Sequence, residues 1–419
     1  MQKHAAQYIL VLLVLGLLLL LESKREFGGS IDDRFVSWLA ANTQHEVNQS
    51  PVLLVEINDS SLSEKHSWPW SPLDYALFFQ AILPLKPGII AVEPPLTWDR
   101  NHLSKDDLAQ AQQYETILHN LLLSTPKALI GAQLGFPEDP AMLPPMLASP
   151  LIHTVKGRTN DIPEFTDVPM PPAEDLRLAA TIGFIPPPAP GTVTSKIPLL
   201  FRYRGELVPS FVLQSMMLWL KLAPEQISVV TGSHIALGDK ISVPIDRTGS
   251  MWVDFQSPVT RFGCDELLLA VELKRAGQQV DIPLDKIAGS ITLLARTDAS
   301  SQVLPWPGNR KGSSGELLAT AIATIQNKAF IHRIPMAIDC LLLALAVALG
   351  WFMSRQSKAS ATVVCVTALT VYLLGGLMIF ESTRLALPLF MPAGLLAFAW
   401  FFRLCAPASQ EPSRLESRL

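Results

Sequence analysis

The chain has 419 residues, of which 49% are hydrophobic and 17% charged, and its formal net charge is −4. Lysine and arginine are scattered, without the basic stripe that neutralises phosphates, which argues against nucleic acid as a partner. Of four cysteines, Cys340, Cys365 and Cys405 sit in or beside apolar runs and only Cys264 lies in the polar stretch, so that stretch can hold neither an internal disulfide nor a cysteine metal cluster.

In chain order, the first apolar run covers residues 5–21, and three more follow at 334–353, 361–380 and 385–402. Each is about the ~17–25 residues that cross a hydrocarbon core as a helix, where every backbone amide must be satisfied internally. They predict an integral membrane protein: an N-terminal transmembrane anchor at 1–21, a polar region at 22–333, three C-terminal transmembrane helices at 334–405 and a short cytoplasmic tail at 406–419. Lys3 gives the first run a signal-peptide start, but the run continues into Glu22-Ser23-Lys24-Arg25 without a small-x-small cleavage site and reads as a retained anchor. Basic residues near the runs almost balance, with Lys3, Arg355, Lys358, Arg403, Arg414 and Arg418 on one side and Lys24, Arg25, Lys328, Arg333 and Arg384 on the other. The small excess places both termini in the cytoplasm and the polar region outside.

Inside the polar region, PVLLVEI at 51–57 is a leucine- and valine-rich run closed by Asn58-Asp59-Ser60, the pattern of a buried strand entering a turn. Helical spacing over 72–85 puts Leu73, Leu77, Phe78 and Ile82 on one face, with Pro72 suited to the first turn. GIIAV at 88–92 reads as a strand, 105–123 as an amphipathic helix capped by Ser104, and 128–134 as a third strand. Apolar strands alternating with helices predict an α/β fold whose mostly parallel sheet is covered by helices on both faces. From 135 to 190 prolines and acidic residues dominate, the composition of a surface loop. Order returns with a strand at 197–203, a turn at Arg204-Gly205-Glu206 and a helix at 210–222. A hairpin follows from 235–237 and 241–245, then a strand at 251–255, a helix at 265–276, a strand at 290–295 and a last helix at 315–328 that leads to the second apolar run.

Ligands of open α/β sheets collect beyond the carboxyl ends of the strands, and Asp59, Glu93, Asp99 and Asp298 all fall just past predicted strand ends. With Arg100 and Arg296 they make a candidate acidic cleft for a cation or a basic ligand; the alternative is a set of solvated loops and caps. Trp68-Pro69-Trp70 offers two rigid aromatic faces to an apolar or sugar ring, or else covers the edge of the core. Asp33-Arg34 reads as an ion pair at the entrance to the first strand. The eight histidines show no i, i+4 pair and no HExxH, there is no GxSxG elbow, and Lys311-Gly312-Ser313-Ser314 lacks the glycine spacing of a phosphate loop. Neither an enzyme, nor a metal, nor a cofactor is expected; a hydrolase would need a nucleophile and base around Asp59 or Glu93. Asp339 lies about one and a half turns into its run, either a functional intramembrane acid or a residue near the interface. Gly350 and Gly375-Gly376 offer close helix contact.

Three stretches, Asp33-Arg34-Phe35, PVLLVEINDSSL followed by Ser67-Trp68-Pro69-Trp70 and the Pro72 helix, and GIIAVEPPLTWDR, together resemble the CHASE2 domain, an extracytoplasmic sensory module of bacterial membrane receptors. IPLLFRYRGELVPSFVLQ, IDRTGSMWVDF, IAGSITLLAR and GELLATAIATIQNKAFI follow in the family's order, so the likeness spans residues 32–331, and three closing spans are typical of such receptors. The chain departs from the pattern where Glu56 and Glu93 replace the usual strand aspartates, where LARTDASSQVLPWP replaces a more regular glycine-containing segment, and where Lys196 approximates a basic residue before IPLL. The resemblance implies a large domain facing the periplasm or exterior of a multi-pass protein of the bacterial inner membrane, with an unidentified small-molecule or protein ligand. It also implies an output domain after the last span; only residues 403–419 follow there, so a separate output or assembly protein is expected as partner, and a homodimer is left open. A structural scaffold in an envelope assembly is the rival expectation.

Overall fold

The computed structural model describes residues 2–22, 26–43, 49–62, 68–98, 105–136, 147–187, 193–301 and 303–405. The chain forms two compact units, one of residues Met1–Gln44 with His332–Leu419 and the other of His45–Ile331.

The second unit is built on a six-stranded sheet in which every pairing is parallel. From one edge to the other the strands are Thr260–Gly263, Val52–Ile57, Ile291–Arg296, Ile89–Val92, Ala128–Gln133 and Thr181–Ile185. The inner strands are largely apolar runs because both faces are covered, and their two-residue period divides them between two cores. Val52, Leu54, Ile89, Ala91, Leu293 and Ala295 pack under the helices Phe211–Leu220 and Ser314–Gln326. Leu53, Val55, Ile57, Ile90, Val92 and Leu294 pack on the opposite face under Pro72–Ile82, Lys105–Ser124 and Cys264–Arg275. The predicted strands and helices of the sheet are all present, within a few residues of their expected ends.

Two strands of this sheet were not foreseen. Thr181–Ile185 falls in the stretch expected to be loop, yet pairs with Ala128–Gln133 from Leu129↔Thr181 to Gln133↔Ile185. Prolines surround it but none interrupts its five residues, so every ladder donor is present. Thr260–Gly263 has too few apolar residues to declare itself and is held as an edge by backbone pairing to the first strand.

The terminal unit contains the helices Gln2–Glu22, Glu26–Asn42, Met336–Ser354, Lys358–Thr383 and Phe390–Cys405. Of the four runs expected to span a membrane, two form helices that are long and apolar enough to do so among the described residues, Met336–Ser354 and Lys358–Thr383; Leu10–Leu21 and Phe390–Cys405 are shorter apolar helices. Small residues set their approach. A Cβ on Gly350 would lie 3.1 Å from both Ala399 Cβ and Leu12 Cδ1, whereas one on Gly375 meets nothing within 4 Å. Asp33 does not enter a strand: it lies on the Glu26–Asn42 helix and pairs with Arg333 at 2.5 Å. Beside it, Asp32 is buried and accepts the backbone N–H groups of Leu389 and Phe390 at 2.8 and 2.9 Å, capping the last helix. Burial pushes its carboxyl up and those two bonds hold it down. Asp339 sits in the first turn of Met336–Ser354, where a carboxylate complements the helix dipole.

One glycine fixes how the last helix of the sheet unit meets its strand. A Cβ at Gly315 would stand 2.2 Å from Ala295 Cβ, and neither carbon can rotate away. Gly315→Ala is expected to destabilise the chain by roughly 1–3 kcal/mol, the usual cost of overpacking, read as a lowered denaturation midpoint in detergent; an unchanged midpoint would show that the helix is free to ride outward.

Candidate functional site

Ile291–Arg296, the last of the sheet's six strands in chain order, is inserted between Val52–Ile57 and Ile89–Val92. The helix that follows it packs on one face of the sheet, while the helices that follow its two neighbours pack on the other. That divergence is the topological switch point of an open α/β sheet, where a crevice opens beyond the strand ends. Register places residues there without reference to side-chain chemistry: Val92 pairs with Leu294 and Ile57 with Arg296, so Glu93, Arg296 and Asp298 emerge together.

Arg296 is the hub. Its Nε and Nη2 donate to the two carboxylate oxygens of Asp298, the second bond measuring 2.9 Å. Its guanidinium carbon lies 4.5 Å from the centroid of the half-buried Trp68 ring, a cation–π contact. The Asp298 side chain is buried and its oxygens also receive the Ser300 N–H at 3.0 Å. The guanidinium beside Asp298 holds that carboxyl below its ordinary range. Asp59, exposed on the turn after the first strand, accepts the Ala299 N–H at 3.1 Å and so joins the two loops.

Glu93 behaves in the opposite way. Burial drives its carboxyl upward, against the bond that Ser314 Oγ donates at 2.5 Å and the longer one from the Arg296 N–H at 3.5 Å. Ser314 opens the last helix, behind a capping box in which Ser313 Oγ accepts the Glu316 N–H and Glu316 accepts the Ser313 N–H. Glu316 and Glu56 both reach Arg261, the latter at 3.5 Å, and burial raises Glu56 as well. Tyr75, fully enclosed behind the crevice, has its hydroxyl pushed up first by burial and next by Glu93.

Of the residues singled out from sequence, Glu93, Arg296, Asp298 and Trp68 meet in one cluster and Asp59 stands at its rim. Trp70 does not belong to it. That indole is only 5% exposed and packs edge-on against Tyr75 with centroids 5.5 Å apart, so it covers the core edge rather than a ligand. Asp99, Arg100 and the Ser104 cap lie outside the described residues. Ser314, Tyr75 and the Glu56–Arg261–Glu316 chain were missed. Only the S-x-x-E spacing of Ser313 and Glu316 announced a helix start that could have pointed to Ser314.

The open parallel sheet thus gathers charged and aromatic side chains at its switch point, on a chain that also carries long apolar helices. This chain belongs to the CHASE2 domain family, which it matches over residues 8–354, from within the first apolar helix to the end of Met336–Ser354. CHASE2 is a family of extracellular sensory domains. No curated protein and no solved structure matches the chain.

Two substitutions separate the two carboxylates. Glu93→Gln removes a charge that burial disfavours while keeping an acceptor for Ser314, so it is expected to raise the melting temperature by a few degrees at neutral pH (~1 kcal/mol). The gain shrinks as pH falls through the raised value toward the ordinary 4.5, where wild type is itself protonated. Asp298→Asn breaks a bidentate pair and is expected to cost roughly 2–3 kcal/mol at neutral pH. That loss fades only in stronger acid, below the ordinary value of 3.8, as the wild-type carboxylate takes up its proton. Melting curves of both variants between about pH 3 and 8 test the assignment; identical pH profiles for the two would refute it.

Proposed function

We propose that this chain is a membrane-anchored CHASE2 sensory module that binds a small molecule or protein outside the cytoplasm and acts through a separate membrane partner, without chemistry of its own. The observation that carries this reading is the cluster of Glu93, Arg296, Asp298 and Trp68 at the switch point, beside the N-terminus of the last sheet helix. That helix leads through residues 327–331 to His332 and the first long apolar helix, so a ligand that moves Ser314 or Arg296 acts at the start of the segment feeding the membrane. Binding changes that segment only by its differential affinity for two arrangements of the cluster. The chain then lies in the cell membrane as a multi-pass protein.

A second reading, a constitutive scaffold in an envelope assembly, draws on the internal pairing of the cluster: Arg296 is neutralised by Asp298, and Glu93 is held by Ser314. Ligand screening distinguishes the two. A sensor gains stability by mass action, about 2.7 kcal/mol at a hundredfold excess over Kd, and Trp68→Ala should abolish the gain. A full-length chain whose melting temperature no charged or aromatic small molecule moves would favour the scaffold. Affinity purification in mild detergent is expected to recover a second membrane protein; recovery of the chain alone would remove the partner from the proposal.

A further inference from the structure

The helices of the terminal unit end in two chemically different collars. One end carries Asp32, Asp33, Asp339 and Glu381 together with Arg333 and Arg384, a mixture in which Asp33 and Arg333 neutralise each other. The other end carries Arg355 at the close of Met336–Ser354, Lys358 at the start of Lys358–Thr383 and Arg403 near the close of Phe390–Cys405. The sequence places no aspartate or glutamate within 351–364 or 397–405, so these three cations have no acidic neighbour on their own segments.

Among the described residues, their contacts are with neutral groups. The Arg355 guanidinium stacks 3.9 Å from the Trp351 centroid, Lys358 Nζ donates to the Leu404 carbonyl at 2.7 Å and Arg403 Nε donates to the Gln356 carbonyl at 2.7 Å. The two carbonyl bonds tie the end of Phe390–Cys405 to the start of Lys358–Thr383 and to the link that precedes it. Lys358 keeps two N–H donors and Arg403 the terminal nitrogens of its fork. Arg355 and Lys358 are exposed. Within a turn of the collar, Phe352, Phe401 and Phe402 are 48%, 59% and 49% exposed, a rim of apolar rings next to concentrated positive charge.

We propose that this collar is a binding site for the headgroup of an anionic phospholipid, with the phosphodiester between Arg355, Lys358 and Arg403 and the acyl chains along Phe352 and Phe402. Charge complementarity selects a negative headgroup over a zwitterionic one, and the flanking aromatic rings select a lipid over a free phosphate. The site presupposes the membrane-spanning reading above, and it fixes this end of the unit on the leaflet richer in anionic lipid, which is the cytoplasmic one.

The test uses the full-length chain extracted from vesicles of equimolar phosphatidylglycerol and phosphatidylcholine, with retained lipid counted by native mass spectrometry. Phosphatidylglycerol is expected to be retained several-fold over phosphatidylcholine, with the preference falling to parity in Arg355→Gln/Lys358→Gln/Arg403→Gln and surviving in Arg333→Gln/Arg384→Gln. Parity in the wild type, or a preference that the triple substitution leaves intact, overturns the site. Should the triple variant not fold, salt replaces it: the wild-type preference must weaken between about 0.05 and 0.5 M salt, where screening shortens from beyond 10 Å to a few ångströms, and a salt-independent preference overturns the site equally. Release of the wild-type chain from membranes by alkaline carbonate would instead strike the membrane-spanning reading itself, a result distinct from insertion without lipid selectivity.

Discussion

The rest of the sheet unit depends on the burial of one strand on every side. Ile291, Leu293, Leu294 and Ala295 are essentially inaccessible, paired on both edges and covered on both faces. Each large side chain so enclosed contributes about 1.5–3 kcal/mol, and none can be withdrawn without unpairing two neighbours. The strand is the last of the six in sequence and is inserted between the first two, and the helix Ser314–Gln326 beyond it packs on the face opposite to theirs. The crevice at the strand ends is a geometric consequence of that insertion, and Gly315 lets the helix approach closely enough to bring Ser314 to Glu93.

Within the crevice, burial and pairing oppose each other in an ordered way. Asp298 gains from its guanidinium and stays ionised, while Glu93, on the side of the last helix, is pushed toward its neutral form. Arg296 serves both, through its side chain to Asp298 and its backbone N–H to Glu93. Arg296 thereby links two carboxylates of opposite tendency and, through Glu93 and Ser314, the start of the Ser314–Gln326 helix. In the terminal unit the same logic is structural. Asp32 is buried yet retained because two orphan N–H groups of the last helix need an acceptor.

Much of the sheet was legible in the sequence because its strands are short uninterrupted apolar runs and its helices carry a one-sided apolar face. Thr181–Ile185 was hidden by the prolines around it, and Thr260–Gly263 by polar side chains that an edge position tolerates. Within the candidate site, Glu93, Asp298 and Arg296 were found from a positional rule, that ligands gather past strand ends. For Trp68 and Trp70 the sequence left open a ring-binding face or a cover for the core edge, since proximity says nothing of which indole turns inward; the structure turns Trp70 inward, edge-on to Tyr75. Arg261 and Ser314 were missed since their partners, Glu56 and Glu93, lie more than two hundred residues away in sequence.

What the sequence determined by itself is what local pattern encodes: long apolar runs, the alternation of strand and helix, and the family to which these belong. Strand order, the face taken by each helix and the pairing of each charge were decided only by the tertiary structure. The physical reason is that periodicity and caps act over a few residues, whereas a charge finds its counter-ion by the register of strands far apart in the chain.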